Sequence, residues 1–239
     1  MHLNRKRASV RLLWSVMAAH QRLLRFTDLA RTLGLPRTLS IAARWLFRRE
    51  YLVLVRDLQA THVQPPAHGP WQWPPLTETA TRPLSALNPA MTDREIRRRW
   101  REGQVCLVAW HGDVPVHYRW ETAGPTWLPT LGIVFQPLEG DTIIVDIFTH
   151  PAFRSRGITS AGMVMGWHRA KHQGYTRSIG LVAWWNAPSL RVGQQTAGRL
   201  VAGRVGYWTV GVGRRYFATG AARFDERGRV YVLAKACPG

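Results

Sequence analysis

The stretch that most restricts the fold is TIIVDIFTHPAFRSRGITSAGMVMGWHRAKHQG, residues 142–174. An apolar strand, TIIVDIFT (142–149), runs into a turn holding Arg154, Ser155, Arg156 and Gly157. That turn opens directly into a helix over 157–173, which stops at Gly174. The first turn of a helix has backbone N–H groups without intrahelical partners, and the macrodipole places partial positive charge there. Gly157 lets the backbone come close to a ligand, and Thr159 and Ser160 add hydroxyls. Arg154 and Arg156 add forked cationic donors. Together these predict a cradle for a pyrophosphate. The spacing is neither a P-loop, since no Gly-Lys-Ser/Thr follows, nor a dinucleotide fingerprint, which needs more glycines.

The rest of the chain alternates between helix and strand patterns. Residues 8–33 and 38–49 read as helices, and YLVLV (51–55) as a short strand. QPPAHGPWQWPP (64–75) follows, and five of its 12 residues are proline, which neither helix nor interior strand sustains. It predicts a basic helical unit over 1–60, a Pro/Trp-rich linker over 61–75 and a larger domain over 76–239. Removal of 1–60 should then leave the larger domain folded. Trp71 and Trp73 are expected to dock on that domain rather than to serve a proline-binding partner. Beyond the linker, TETATRPL (77–84) reads as a strand and Thr92–Arg101 as a helix with a Thr92/Glu95 capping box. VCLVAW (105–110) and VPVHYRW (114–120) flank a hairpin turn. RSIGLVAWW (177–185) reads as a strand, 188–202 as a helix, and 205–212 and 229–235 as strands. The pattern is mixed α+β.

Composition narrows the class. Lys and Arg number 33 against 14 acids, a formal net charge of +19. Residues 1–60 contribute +9, 61–139 contribute 0 and 140–239 contribute +10, so two basic surfaces flank a neutral middle. Such surfaces attract phosphates, nucleic acid or anionic lipid, although 30 of the 33 are Arg scattered singly, as a biased composition also yields. The longest uncharged run that is also apolar, TAGPTWLPTLGIVFQPL (122–138), is broken by prolines and predicts no membrane span. Cys106 and Cys237 make neither a zinc set nor a disulfide framework. His168 and His172 lie four apart on one helix, but no third ligand is suggested, so no metal is expected. The reading is a soluble, cytoplasmic protein.

Strand, Pro151, Arg154-Ser155-Arg156-Gly157-Ile158 and an apolar helix together resemble the coenzyme A loop of the GNAT N-acyltransferase superfamily. The family pattern there is Arg/Gln-x-x-Gly-x-Gly/Ala. Arg154 matches its opening residue, Gly157 its required glycine, and Thr159 replaces the final small residue. VAWWNAPSLRV (182–192) is similar to the family's next strand and helix start, with Asn186 at the usual asparagine and Ser189 three residues on. The likeness covers about residues 75–239 and implies a mixed, mostly antiparallel sheet flanked by helices. That sheet would be splayed like a V after the strand at 142–149. It implies acetyl-CoA, or another acyl-CoA, as cosubstrate and an amine as acceptor. The pantetheine arm would pair with backbone at Ile147, Phe148 and Thr149. The pyrophosphate would rest on amides of Arg156, Gly157, Ile158 and Thr159, with Arg154, Ser155, Asn186 and Ser189 also lining the coenzyme.

Asp146 is the first candidate for the catalytic base, with His150 and His117 behind it, and Asp146 has a structural reading as well. Many family members carry a tyrosine about seven residues after the asparagine as the thiol's proton donor. Gly193 stands there in this chain. Three functions stay open: an N-acyltransferase, a coenzyme-binding relative that lost catalysis, and a DNA-binding regulator. The last rests on residues 27–57, which bear some likeness to a winged helix-turn-helix through Ala30, Gly34, Arg37 and Arg44. The same segment also reads as packing helices or as a basic helix on an anionic surface. The acceptor is not readable.

Overall fold

A computed structural model describes residues 47–59, 71–73, 81–196, 200–210 and 213–233, with Pro36 and Leu39 besides. The helices expected over 8–33 and 38–49, and with them the helix-turn-helix reading, lie almost wholly outside these residues. In chain order the elements are β1 (Arg48–Asp57), α1 (Thr81–Leu87), α2 (Asp93–Arg101), β2 (Val105–His111), β3 (Val114–Thr122), β4 (Thr126–Leu128), β5 (Ile133–Phe135) and β6 (Asp141–Thr149). Then come α3 (Ile158–His172), β7 (Arg177–Ala183), α4 (Ala187–Arg191), β8 (Leu200–Val210), β9 (Gly213–Gly220), β10 (Ala222–Phe224) and β11 (Val230–Val232).

Seven strands form one sheet in the order β2-β3-β6-β7-β1-β8-β9, and four form a second in the order β10-β11-β5-β4. β6 and β7, joined through α3, are parallel; β2–β3, β3–β6 and β1–β7 are antiparallel. The mixed, mostly antiparallel α+β class is therefore present. The chain divides into two compact units, residues 1–49 with 208–213 and residues 50–207 with 214–239. In the smaller, the Arg48 guanidinium lies 4.3 Å above the Trp208 ring. The larger holds the candidate site.

Hydrophobic clusters on both faces of the sheet hold the larger unit. Val53, Val55, Ile143, Ile179 and Val205 of the large sheet meet Phe135, Val230 and Val232 of the small one. On the opposite face, Ile144 packs with Met163, Trp167 and Ala170 of α3, as the period of a strand requires of neighbouring residues. α1 and α2 cover the hairpin through Leu84, Leu87 and Ile96 against Cys106, Val108, Tyr118 and Trp120. Burial also pushes the Cys106 thiol up, so it behaves as a small hydrophobe. α3 approaches β3 closely because Gly162 and Gly166 lack side chains. A Cβ at Gly162 would lie 2.6 Å from His117 Nε2, and one at Gly166 2.2 Å from the Arg119 guanidinium. Arg119, fully buried, donates to Met163 O (3.0 Å) and Glu121 Oε2 (2.6 Å), and Arg169 reaches the other Glu121 oxygen at 2.9 Å. The unsolvated ions are thereby paired and hydrogen-bonded.

Several local expectations hold. Thr92 Oγ1 accepts from Glu95 N–H at 3.3 Å, Gly112 turns the hairpin at φ 58°, and Gly174 follows α3 at φ 84°. Trp71 and Trp73 pack against Ala109, Val116, Ile158 and Phe153, and Gln72 bridges to Trp110. Three expectations need correction. The segment expected as a strand over 77–84 is helical from Thr81, with Pro83 in a first turn that loses nothing by lacking its N–H. The helix expected over 188–202 ends with α4 and a π turn over Val192–Thr196, and β8 begins at Leu200. The third concerns the boundary at 60. β1 lies between β7 and β8, with Val53 and Leu54 wholly buried, so a cut at 60 removes an interior strand of the sheet. Among the described residues no helix is long and apolar enough to cross a membrane.

Candidate functional site

β6 pairs with β7 only from Asp141 to Ile144, opposite Arg177 to Gly180. Beyond that point β6 continues to Thr149, while Leu181 to Ala183 of β7 stay paired with β1. The sheet therefore splits within β6, a few residues earlier than the expected opening at its end. A bulge accompanies the split. Trp120 faces Asp146 and Glu121 faces Ile144, which leaves Val145 as the extra residue that bends the strand. His150 N–H donates to Val116 O on the β3 side at 2.9 Å, so alternation aims the backbone groups of Thr149 and Ile147 into the split.

The chain then makes a 3₁₀ turn over Pro151–Phe153, capped by His150, and reaches Ser155 at φ 61° and Gly157 at φ 78°. Gly157 caps α3 in the left-handed region, where a side chain is strained, and itself offers this helix start no side-chain cap. A Cβ at Gly157 would meet nothing within 4 Å, so the approach to its backbone is open. Arg156 lies 5.2 Å over the Phe153 ring, and Arg154 Nε donates to Thr149 O at 3.3 Å. Thr159 Oγ1 stands 3.1 Å from Thr149 Oγ1, which stands 2.8 Å from His117 Nδ1. These contacts tie α3 to the split strand. Burial, with Arg119 beside it, holds His117 down at about 3, so its ring is neutral and enclosed, a poor base at neutral pH.

Asp146 lies on the other face of the sheet. Its Oδ2 accepts from Tyr118 Oη and from Arg99 Nη2, each at 3.2 Å, and Tyr118 Oη in turn accepts from Asn88 Nδ2 at 2.7 Å. Arg99 also holds Glu95 at 3.0 Å. Burial raises the Asp146 carboxyl above its usual range, and Arg99 and Tyr118 oppose that shift. About a third of the side chain remains exposed (32%), so the carboxylate is open to solvent. Burial first, and then Asp146, raise the Tyr118 hydroxyl, so it stays a donor. Nothing in the sequence singles out Tyr118, Asn88 or Arg99. Tyr118 has the signature of a core strand aromatic, and Asn88 lies 58 residues from Asp146 along the chain.

Asn186 caps α4 by accepting from Ser189 N–H at 3.3 Å, so these two make one local turn. A Cβ at Gly193 would lie 2.6 Å from Leu54 Cδ1, so a side chain there requires Leu54 to move. His168 and His172 bind each other, Nε2 to Nε2 at 3.2 Å. Among the described residues no three metal-binding side chains gather.

A sheet split beside an uncapped, glycine-started helix is the architecture that the resemblance to the GNAT acyltransferases implies. No protein-family model and no curated protein matches the chain. Solved structures do resemble it at low identity. They include a ribosomal-protein-alanine N-acetyltransferase from Brucella melitensis (20% identity, 52% of this chain and 82% of that one, TM-score 0.41). An aminoglycoside N-acetyltransferase in complex with CoA aligns at 14% identity over 53% of this chain and 90% of its own, TM-score 0.42. A transcriptional regulator from Bacillus halodurans aligns at 18% identity over 52% and 90%, TM-score 0.41.

Proposed function

We propose that the chain is an acyl-CoA-dependent N-acyltransferase, in its simplest form an N-acetyltransferase. The observation that carries this reading is the open split of β6 from β7 beside the uncapped start of α3 at Gly157. Amides of Arg156 to Thr159, with the Arg154 and Arg156 guanidinia, bind the coenzyme's pyrophosphate. Backbone groups of Ile147 and Thr149 pair with its pantetheine arm across the split, next to Phe148. Arg154 leaves the Thr149 carbonyl to do so. Ser155 and Ile158 shape the turn, and Asn186 and Ser189 hold the opposite wall at α4. The bound coenzyme supplies the thioester. Asp146, held by Tyr118 and Arg99, takes the proton from the acceptor ammonium, and the resulting amine attacks the acyl carbon. As the C–S bond breaks, the second proton of the attacking nitrogen passes through water to the leaving thiolate, since Leu54 lies where a side chain at Gly193 would go.

The same crowding at Gly193 favours a second reading, a coenzyme-binding protein without turnover. Thiol release from acetyl-CoA with a panel of amines tests the first. Release above the amine-free rate is expected, and Arg154→Ala or Arg156→Ala should each raise KM for the coenzyme. A charge-assisted hydrogen bond contributes about 1.5–3 kcal/mol, so the expected rise is roughly 10- to 150-fold. Gly157→Val should do the same through its left-handed backbone. Coenzyme binding without release for any amine supports the second reading, and unchanged KM in all three variants places the cradle elsewhere.

A further inference from the structure

Trp127 on β4 and Tyr216 on β9 keep 51% and 39% of their surface exposed. They converge on Gly132. A Cβ there would lie 2.9 Å from Arg214 Nη1, 3.5 Å from Tyr216 Oη and 4.0 Å from Trp127 Cη2. Tyr216 is held from behind. Its hydroxyl donates to Leu131 O at 3.2 Å, and its ring stands edge-on to Tyr207 (5.6 Å) and Phe224 (6.2 Å). Arg214 lies 4.6 Å over the Tyr207 ring. Two exposed aromatic rings and a guanidinium thus surround one position that has no side chain.

The sequence that carries Arg214 and Tyr216 is basic. Between Asp146 and Asp225 the chain has 78 residues without a single acid and with 11 basic side chains. Arg169, Arg177 and Arg204 of that set are paired to Glu121, Asp141 and Glu50. Arg214 and Arg215 sit side by side on the exposed part of β9, on a strand that carries no acid. Exposed rings offer a stacking surface for planar groups, and guanidinia offer partners for phosphate. A duplex hides its base faces in the stack and leaves the rings unused, whereas an anionic lipid surface, which also takes Trp and Tyr, is the competing outcome of the test.

We propose that Trp127, Tyr216 and Arg214 form a platform that binds single-stranded nucleic acid, bases on the rings and phosphate on the guanidinium. The proposal does not depend on the acyltransferase reading. Fluorescence anisotropy on the full chain tests it, with a labelled oligothymidylate of about 12 nucleotides, within the usual site sizes. A duplex of equal length and phosphatidylserine vesicles serve as competitors. The full chain should bind the single strand in preference to both. Trp127→Ala and Tyr216→Ala should each weaken binding roughly 5- to 150-fold, the range for losing one stacked base. Their salt slope should stay as in the parent, while Arg214→Ala lowers it by about 0.7. Tyr216→Phe keeps the ring and should bind like the parent, which separates stacking from a folding defect. A preference for duplex or vesicles, or parental affinity in both alanine variants, overturns the platform.

Discussion

A chain lacking residues 1–60 is expected to be insoluble or molten, the reverse of what the proline-rich boundary implies. The deletion removes β1 and with it Val53, Leu54, Val55 and Leu58, all essentially buried. Each such side chain contributes about 1.5–3 kcal/mol, so about 6–12 kcal/mol is lost. Whole-domain stability is about 5–15 kcal/mol, so little is left. The gap between β7 and β8 would also expose two unpaired strand edges. A deletion of 1–46, which keeps β1, is the control and should unfold cooperatively in urea. Cooperative unfolding of the 61–239 chain, with near-parental near-ultraviolet circular dichroism, would remove β1 from the fold's essential parts.

Asp146→Asn should lower kcat by roughly 10²- to 10⁴-fold, the span of general base catalysis, with little change in KM for the coenzyme. The variant also tests the pH dependence. Burial raises the Asp146 pKa, so the folded state binds the proton more tightly than the unfolded chain does. Stability therefore falls as pH rises from the ordinary carboxylate range through the raised value. With Asp146 as the proposed base, activity should rise over the same interval, because only the carboxylate accepts a proton. Asn at 146 should abolish both trends, as read by Tm and kcat against pH. Tyr118→Phe removes one donor to the carboxylate and should move the activity limb to higher pH. Full activity in the Asn variant, with the parental pH profile, would assign Asp146 to structure alone.

What could be read from sequence is what depends on neighbours along the chain. The strand–turn–helix over 142–174 is one continuous segment, so Arg154, Arg156 and Gly157 are legible there as a candidate cradle. The Thr92 cap and the turn at Gly112 are equally local. The place of β1 is not, because its ladder joins Tyr51 to Ala183 across 132 residues. Nothing near YLVLV distinguishes an interior strand from the end of a small unit. The end of the helix expected over 188–202 is equally non-local, since β8 takes the chain into the sheet from Leu200. Likewise Gly162 and Gly166 weaken α3 by propensity alone, and their reason appears only when His117 and Arg119 arrive from β3. The Asp146 site was half legible. Its carboxylate lies in the strand that was recognised, but Asn88, Arg99 and Tyr118 reach it from three other segments.

The most direct test of the central claim, a coenzyme held at the start of α3, is the melting temperature of the full chain with acetyl-CoA. A ligand that binds only the folded state at about 100 times its Kd adds about 2.7 kcal/mol. At about 2–4 °C per kcal/mol for a domain of this size, the expected rise is about 5–11 °C. Adenosine diphosphate, which leaves the β6 edge at Ile147 and Thr149 unused, should raise it less. Gly157→Val should abolish most of the shift, and raised salt should weaken but not remove it in the parent. A flat response to acetyl-CoA, longer acyl-CoAs and free coenzyme A alike would contradict the account, and residues 154–159 would then be a plain basic turn.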